Sequence, residues 1–297
     1  MATLRIQSIL FHNDTAAIER TLECIHRAAD LATAQGVYSA VRVAYGDCSP
    51  VALFLPEEIQ RLQSLHAGYF ELDITHFGAN LGSAKGHNTL LQHITADHVL
   101  IMNPDVVLAP NTLVELARPL LAAGVGMVEA RQLPIEHPKA YNPATGETSW
   151  ATTACALIPA EVIVKVGNFD SDTFFLYCDD VDYSWRIRLA NLKVIYQPSA
   201  VVFHDKRLSD EGGWLPSSAE KYYSAEAALL LPYKWSRPDI SERILRQYRG
   251  SGIDHLERAA AEYIKRLSEG TLPNPIDPDH RIAEFLGDMY AAHRFTI

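Results

Sequence analysis

The chain has 297 residues, of which 48% are hydrophobic, and its formal charge at pH 7 is −10. This length is enough for one large α/β domain with an appendage. The negative charge argues against a nucleic-acid partner, for which a basic surface is expected. An anionic substrate would need local help, from a metal ion or from helix N-termini.

The cysteines and the apolar segments bear on the cellular compartment. Four cysteines are scattered along the chain without C-x-x-C pairs, which indicates reduced thiols in a cytoplasmic protein. The first residues hold too short an apolar stretch for a signal peptide, and no run reaches the roughly 20 apolar residues of a membrane span. We therefore expect a cytoplasmic protein, and peripheral contact with the inner face of the membrane stays open.

Strand and helix patterns alternate along the first two thirds of the chain. Strands are predicted at residues 4–11, 40–45, 69–76, 98–102, 125–130 and 151–158, and in the segment that ends at residue 204. Helices are predicted at residues 15–36, 56–66, 82–96, 111–123, 159–166 and 179–190. This alternation is typical of a mainly parallel sheet with helices on both faces. Ligands of such sheets bind beyond the carboxyl ends of the strands, so the turns that follow the strands should meet at one edge.

The pattern changes after residue 204. Helices are predicted at residues 220–231, 241–248, 255–267 and 280–292. We therefore divide the chain into an α/β domain, residues 1–207, and a helical appendage, residues 208–297. Aromatic and basic residues, among them Lys234 and Trp235, flank an apolar run at 227–231. Such a helix can rest on a membrane surface, bury against a second copy of the chain or pack on the chain's own core. We expect the appendage to contact either the molecule that accepts a transferred group or a partner protein.

Two acidic segments are candidates for chemistry. Asn103-Pro104-Asp105 follows the strand at 98–102, where a carboxylate could hold a divalent cation against phosphate oxygens. Taken alone, this three-residue segment is also a common turn sequence. Asp179, Asp180 and Asp182 begin a helix next to aromatic residues, and three carboxylates exceed what a helix cap needs. One of them could be a general base whose pKa is raised by burial and by its like-charged neighbours.

Three further turns carry polar residues or glycines after strands. His204 ends the last strand of the α/β domain; it could add a nitrogen ligand to a metal ion or simply form a surface hydrogen bond. Asn80 and Gly82 lie in FGANLGSAKGHN, where the backbone could approach a ligand. Asp47 lies in GDCSP and could accept hydrogen bonds from a base or ribose.

Taken together and in order, these segments resemble the family 2 glycosyltransferases of the GT-A fold. The similar segments are residues 77–88, FGANLGSAKGHN, residues 96–113, ADHVLIMNPDVVLAPNTL, and residues 167–204, which contain FFLYCDDVDYSWR. The resemblance covers about residues 4–206 and is greatest to a rhamnosyltransferase-like or galactofuranosyltransferase-like branch. It implies a GT-A type, Rossmann-like mixed sheet flanked by helices.

The resemblance also implies roles for individual residues. It makes Asp180 the catalytic base, and Asp105 and His204 the ligands of Mn²⁺ or Mg²⁺. Residues at donor-binding turns are Asp47, Asn80, Gly82 and Asn103. Asn103 stands where a strict D-x-D motif has its first Asp, and Asp179 stands where Glu is usual.

The reaction implied is an inverting, metal-dependent glycosyl transfer. A nucleoside-diphosphate sugar, rhamnose-like or galactofuranose-like, would be the donor, and a hydroxyl of a glycan or glycolipid the acceptor. Asp182 and Arg186, spaced i,i+4 on one helix, could orient the base. Two alternatives stay open. A nucleotidyltransferase would want a glycine-rich basic loop after the first strand, where this chain has FHNDTAA. A non-catalytic sugar-binding protein would tolerate loss of the acidic residues.

Overall fold

The computed structural model describes residues 1–92, 94–136, 139–206, 210 and 215–291. The strands are β1 Ala2–Leu10, β2 Tyr38–Asp47, β3 Glu71–His76, β4 His98–Met102, β5 Val106–Leu108, β6 Val125–Leu133, β7 Glu147–Thr148, β8 Cys155–Pro159 and β9 Lys193–His204. The helices are α1 Thr15–Ala34, α2 Pro56–His66, α3 Gly82–Leu91, α4 Thr112–Ala117, α5 Ala160–Val166, α6 Asp179–Leu189, α7 Ser218–Lys234, α8 Pro238–Tyr248 and α9 Asp254–Glu269, with a 3₁₀ turn at Arg118–Leu121.

The strands form one mixed sheet in the order β3-β2-β1-β4-β8-β6-β9-β5, with β7 paired to β9. Strands β3, β2, β1 and β4 are parallel, and so are β6 and β9. Strand β8 lies antiparallel between β4 and β6, so β6 and β9 run in the same direction as β4. The carboxyl ends of β2, β3, β4 and β9 therefore lie at one edge, as the sequence predicted.

Helices cover both faces of the sheet. On one face, α1, α2 and α4 bury apolar residues such as Ile18, Leu62 and Leu116. On the other face, α3, α5 and α6 bury residues such as Ala84 and Ile163. Helices on both sides thus cover a sheet whose two faces are both largely apolar.

Several helix boundaries follow directly from the sequence. The Asp14 carboxylate caps α1 by accepting a hydrogen bond from the Ala16 amide at 2.9 Å, and Gly36, with a φ of 70°, follows the end of the helix. Helix α2 has the predicted bounds and begins at Pro56, which is suited to a first helical position. The predicted helix at 111–123 divides into α4 and the 3₁₀ turn, where Pro119 removes a helical donor.

Other segments differ from the prediction. Helix α3 ends at Leu91, five residues before the predicted end. The segment at 132–150, for which the sequence predicts neither strand nor helix, contains the end of β6 and the short strand β7. The strand predicted at 151–158 begins only at Cys155. The prediction of a helix at 280–292 is wrong for the part that the structure describes, residues 280–291, which form turns. Residue 292 lies outside the described residues.

Two features mark residues 280–291 as irregular. The Asp277 carboxylate accepts hydrogen bonds from the amides of Arg281, Ile282 and Ala283, at 2.8–3.3 Å, which fixes an irregular turn. Gly287 has a φ of 67°, outside the helical region.

Helices α7, α8 and α9 pack together and onto α6. Their buried residues form one apolar cluster with Trp185 of α6, and the Trp235 ring packs edge-to-face on that of Trp185, with 5.2 Å between centroids. The appendage therefore shares a core with the helix that carries Asp180. Within the described residues, no helix combines the length and apolar character needed to cross a membrane.

Candidate active site

A cavity of about 400 Å³ opens at the edge of the sheet where β4 and β9 end and α6 begins. Polar and charged side chains in its wall include those of Asn103, Asp105, Asp179, Asp180, His204 and Lys206. Four residues predicted for the site, Asn103, Asp105, Asp180 and His204, thus share one cavity. The other three, Asp47, Asn80 and Gly82, do not line it.

Asp105 and His204 face each other in this cavity. Strand β5 pairs antiparallel with β9 so that Val106 lies opposite His204, and the Asp205 amide donates to the Asp105 carbonyl oxygen at 2.9 Å. These contacts bring His204 Nε2 within 3.3 Å of Asp105 Oδ1. The histidine side chain is 8% exposed and the aspartate side chain 43%, so the pair presents a carboxylate to the cavity beside a fixed imidazole.

Gln132 sets the orientation of the His204 ring. Its Oε1 lies 2.7 Å from His204 Nδ1. With this amide oxygen as the acceptor, Nδ1 donates, and Nε2 is the nitrogen that faces Asp105. Histidines that bind a metal usually donate their other ring N–H to such a partner, which fixes the orientation of the ring.

The acidic cluster begins α6 after a strained turn. Tyr177 and Cys178 have φ values of 69° and 58°, a conformation that costs free energy for residues other than glycine. The turn buries Asp179 and places Asp180 at the cavity wall. One carboxylate oxygen of Asp180 accepts a hydrogen bond from the Val181 amide at 2.8 Å. Burial raises the pKa of Asp179, and the charge of Asp180 acts in the same direction.

Asp182 faces away from the cavity and is fully buried. It accepts hydrogen bonds from Arg186 Nε at 2.8 Å and from the Trp235 indole at 3.1 Å. Lys234 Nζ lies 2.6 Å from Asp182 Oδ1 and 2.6 Å from Asp170 Oδ2. The predicted i,i+4 pair of Asp182 and Arg186 is present, and the network also ties α6 to the last turn of α7. We call these five residues the α6–α7 charge network.

The structure decides among the three alternatives left open for Lys234 and Trp235. Trp235 is buried within the core shared with α6, and Lys234 is buried between two carboxylates. For these two residues, the alternative of packing on the chain's own core is the correct one. Their position in the sequence gave no sign of the acidic partners, which lie more than 50 residues earlier.

Asp47, Asn80 and Gly82 hold the turns that follow β2 and β3. Asp47 is buried and accepts hydrogen bonds from the amides of Ser49 and Leu53, at 2.9 Å and 2.8 Å. Asn80 Oδ1 accepts from the Gly82 amide at 3.2 Å. Gly82 has a φ of 70°, and a Cβ there would lie 2.4 Å from the Phe175 carbonyl oxygen. These contacts account for the presence of Asp, Asn and Gly at these three positions. The donor-binding roles of the three residues stay predictions.

Lys206 and Gln132 are cavity residues that the sequence did not single out. Burial lowers the pKa of Lys206, although the nearby charge of Asp105 acts in the opposite direction. Its position two residues after His204, on the same strand end, was the available signal. No sequence signal marks Gln132, because it reaches His204 only through the pairing of β6 with β9.

In the part of the chain that the structure describes, no group of three or more His, Cys, Asp or Glu residues could hold a metal ion by itself.

The fold is a mixed α/β sheet with an acidic cavity at the carboxyl ends of its strands, and the sequence comparison names its family. The family described as "Glycosyltransferase like family 2" matches residues 34–214, and the chain belongs to it. Among similar proteins are the N-acetylglucosaminyl-diphospho-decaprenol L-rhamnosyltransferases of two strains of Mycobacterium tuberculosis, CDC 1551 / Oshkosh and H37Rv. Each is 25% identical over 176 residues, which cover 43% of this chain and 57% of the relative. The chain thus matches little more than half the length of these relatives.

Solved glycosyltransferase structures share the fold. The mannosyltransferase PcManGT from Pyrobaculum calidifontis, in complex with GDP-Man and Mn²⁺, aligns with a TM-score of 0.54 and 17% identity over 90% of this chain and 81% of its own. GalNAc-T7 with UDP, GalNAc and Mn²⁺ aligns with a TM-score of 0.67 and 12% identity over 92% of this chain and 56% of its own. S. aureus TarS aligns with a TM-score of 0.55 and 11% identity over 89% of this chain and 43% of its own. The GT-A fold expected from the sequence is confirmed.

Proposed function

We propose that this protein transfers a sugar from a nucleoside-diphosphate donor to a hydroxyl of a glycan or glycolipid, with inversion at the anomeric carbon and with Mn²⁺ or Mg²⁺. The observation that carries the proposal is the shared cavity in which Asp105 and His204 face each other and Asp180 lies at the wall. Family membership favours glycosyl transfer over the nucleotidyltransferase alternative. The acidic side chains exposed to the cavity argue against a purely sugar-binding protein.

The residues at the cavity fit a divalent cation. Asp105 offers a half-exposed carboxylate oxygen, and His204 offers Nε2, held in place through Gln132. Two protein ligands are enough for an ion that also binds substrate phosphates, since Mg²⁺ usually takes one or two carboxylates and completes its shell with phosphate oxygens and water. When bound there, the ion would offset the negative charge that grows on the leaving diphosphate.

Lys206 is suited to the same leaving group. Its side chain lies in the cavity wall after the end of β9, and a lysine ammonium is a compact donor for phosphate oxygens. Burial lowers its pKa, and in such a partly dry site its charge would act more strongly on a phosphate than it does in water. We therefore propose that Lys206 contacts the diphosphate.

Asp180 would act as the general base. Its carboxylate takes the proton from the acceptor hydroxyl while that oxygen bonds to the anomeric carbon on the face opposite the diphosphate. The bond from the anomeric carbon to the diphosphate oxygen breaks, and the nucleoside diphosphate leaves. Asp179 supports this role, because its raised pKa leaves less negative charge beside Asp180 at neutral pH.

The sugar that we propose is rhamnose-like or galactofuranose-like. Support comes from the motifs in residues 77–113 and 167–204, and from the rhamnosyltransferases of M. tuberculosis, whose acceptor by name is a lipid-linked N-acetylglucosamine. A glycan or glycolipid acceptor is consistent with that chemistry.

A two-stage assay tests the proposal. Thermal shift against a panel of nucleotide sugars in Mn²⁺ identifies the donor by the rise in melting temperature that a bound ligand produces. Transfer of that donor is then followed by NMR, which gives the anomeric configuration of the product. We expect a product with inverted configuration. Retained configuration, or no stabilisation by any nucleotide sugar, would contradict the proposal.

A further inference from the structure

A second cleft of about 400 Å³ lies in the helical appendage, between α7, α8, α9 and residues 285–290. Apolar side chains dominate its wall, and they include Ala225, Ala228, Leu231, Ile244, Leu256 and Phe285. Helix packing normally leaves few voids larger than a water molecule. A volume of this size falls within the range of about 300–1,000 Å³ that small-molecule sites occupy.

The apolar cleft adjoins the acidic cavity. Glu220 and Tyr290 line both of them. Glu220 is fixed in the first turn of α7, where its carboxylate accepts from the Ser217 amide at 2.6 Å. The Tyr290 ring packs edge-to-face on Trp150, another residue of the acidic cavity, with 5.1 Å between centroids. The two sites therefore meet at these two residues, and a molecule with one end near Asp180 would have to pass them to enter the cleft.

The two adjoining sites differ in chemistry. The acidic cavity carries carboxylates and Lys206, whereas the appendage cleft offers chiefly methyl, methylene and aromatic carbon with a few polar groups, such as Lys221 and Gln247. A ligand that fills both must be polar at one end and apolar at the other. A nucleoside-diphosphate sugar has no apolar end of this kind, so the cleft does not suit the donor.

We propose that the appendage cleft binds the apolar part of an amphipathic acceptor, an aliphatic chain, while the acceptor's hydroxyl end reaches Asp180. This inference rests on the proposed function for the position of the hydroxyl, and it adds the class of acceptor and the place where its chain lies. It also gives the appendage a role in acceptor binding, through apolar walls.

Alkyl glycosides of increasing chain length provide the probe. Hexyl, heptyl and octyl β-D-glucopyranoside are titrated below their micelle concentrations into the full-length protein, and binding is measured by calorimetry. If the chain enters the cleft, each added methylene should tighten binding roughly threefold to fourfold. Methyl β-D-glucopyranoside, with seven fewer methylenes, should bind roughly 10³–10⁴-fold more weakly than the octyl compound.

Variants that fill the cleft locate the binding. Ala228→Phe extends a ring from α7 into the cleft and should abolish the dependence on chain length. Leu256→Trp fills the same space from α9 and gives an independent reading if the first variant destabilises the fold. The matched control is Ala261→Leu, an exposed position on α9 outside the cleft, which should behave as the wild type does.

The outcomes separate this inference from the proposed function. Nucleoside-diphosphate binding in Mn²⁺ is measured on each variant and should stay within twofold of the wild type. If the wild type binds the nucleotide but shows no dependence on alkyl chain length, or if both filling variants keep that dependence, the inference is wrong and the proposed function stands. If the wild type does not bind the nucleotide, the proposed function fails, while the alkyl series still reports on the cleft. A wild-type dimer that Ala228→Phe converts to a monomer in light scattering would show a second copy in the cleft and would overturn the inference.

Discussion

The two faces of α6 use acidic residues in opposite ways. Asp180 lies at the wall of an open cavity, whereas Asp182, two residues later, is fully buried between α6 and α7. Two residues turn an α-helix by about 200°, so their side chains point in nearly opposite directions. Asp182 is satisfied by Arg186, Lys234 and Trp235, and Asp180 faces space that a substrate can enter. Similar residues in one motif thus divide between a proposed chemical role and a structural one, and the difference comes from what the fold places opposite each.

The largest effect is expected from Asp180→Asn. The amide keeps the shape of the side chain but cannot take the acceptor proton, so kcat should fall by roughly 10²–10⁴. Affinity for the nucleoside diphosphate should stay nearly unchanged. The matched control is Asp172→Asn, an exposed carboxylate just before the aromatic residues of the motif. Steady-state kinetics and calorimetry report the two quantities, and near-normal turnover by Asp180→Asn would remove it as the base.

The next largest effect concerns the other face of α6. Lys234→Met removes the cation between Asp170 and Asp182, which leaves carboxylates in a dry environment. Breaking a buried pair in this way should lower the free energy of unfolding by about 3–5 kcal/mol. Lys265→Met on α9 removes an exposed pair with Glu262, and it should change stability by about 0–1 kcal/mol. Urea unfolding measures both, and equal effects would show that the α6–α7 charge network contributes no more than a surface pair.

Gln132 gives a smaller effect on the cavity side. Gln132→Leu removes the acceptor that holds the His204 ring by Nδ1, and loss of such a partner typically weakens metal affinity about 10–100-fold. Gln132→Glu keeps an acceptor at this position and should retain the affinity. Calorimetric titration of Mn²⁺ in the presence of a nucleoside diphosphate gives the comparison. Wild-type affinity in the leucine variant would mean that the ring needs no such support.

The buried carboxylate of Asp179 predicts a dependence of stability on pH. Burial raises the pKa of Asp179 to about 7, whereas the unfolded chain ionises this residue near its ordinary value of about 4. The folded state therefore holds the proton more tightly, and stability should fall as pH rises from about 4 to about 7. Asp179→Asn should flatten this part of the profile, and Asp172→Asn should not. Urea unfolding at a series of pH values measures the slope, and identical slopes in wild type and Asp179→Asn would contradict the assignment.

The sequence was informative where local patterns decide the structure. Alternating strands and helices placed the carboxyl ends of β2, β3, β4 and β9 at one edge, and the motifs predicted that Asp105, Asp180 and His204 would meet there. It also placed α2 at its observed bounds, because Pro56 and two glutamates mark its start.

Long-range contacts decide the features that the sequence did not predict, and such contacts leave no local pattern in the sequence. The partners of Asp182 on α7 lie 52 and 53 residues later in the chain, so the α6–α7 charge network could not be read from spacing. Gln132 meets His204 through strand pairing across 72 residues. The helix predicted at 280–292 fails for a local reason, since Gly287 adopts a φ of 67°, outside the helical region.

Calorimetric titration of a nucleoside diphosphate tests the central claim most directly. The wild type and Asp105→Ala are each titrated in Mn²⁺ and in EDTA. The account predicts that the wild type binds tightly only in Mn²⁺ and that Asp105→Ala binds equally weakly in both, because the variant lacks the carboxylate that faces His204. Equal affinity of the wild type in Mn²⁺ and in EDTA would show that this cavity does not hold the diphosphate through a metal ion.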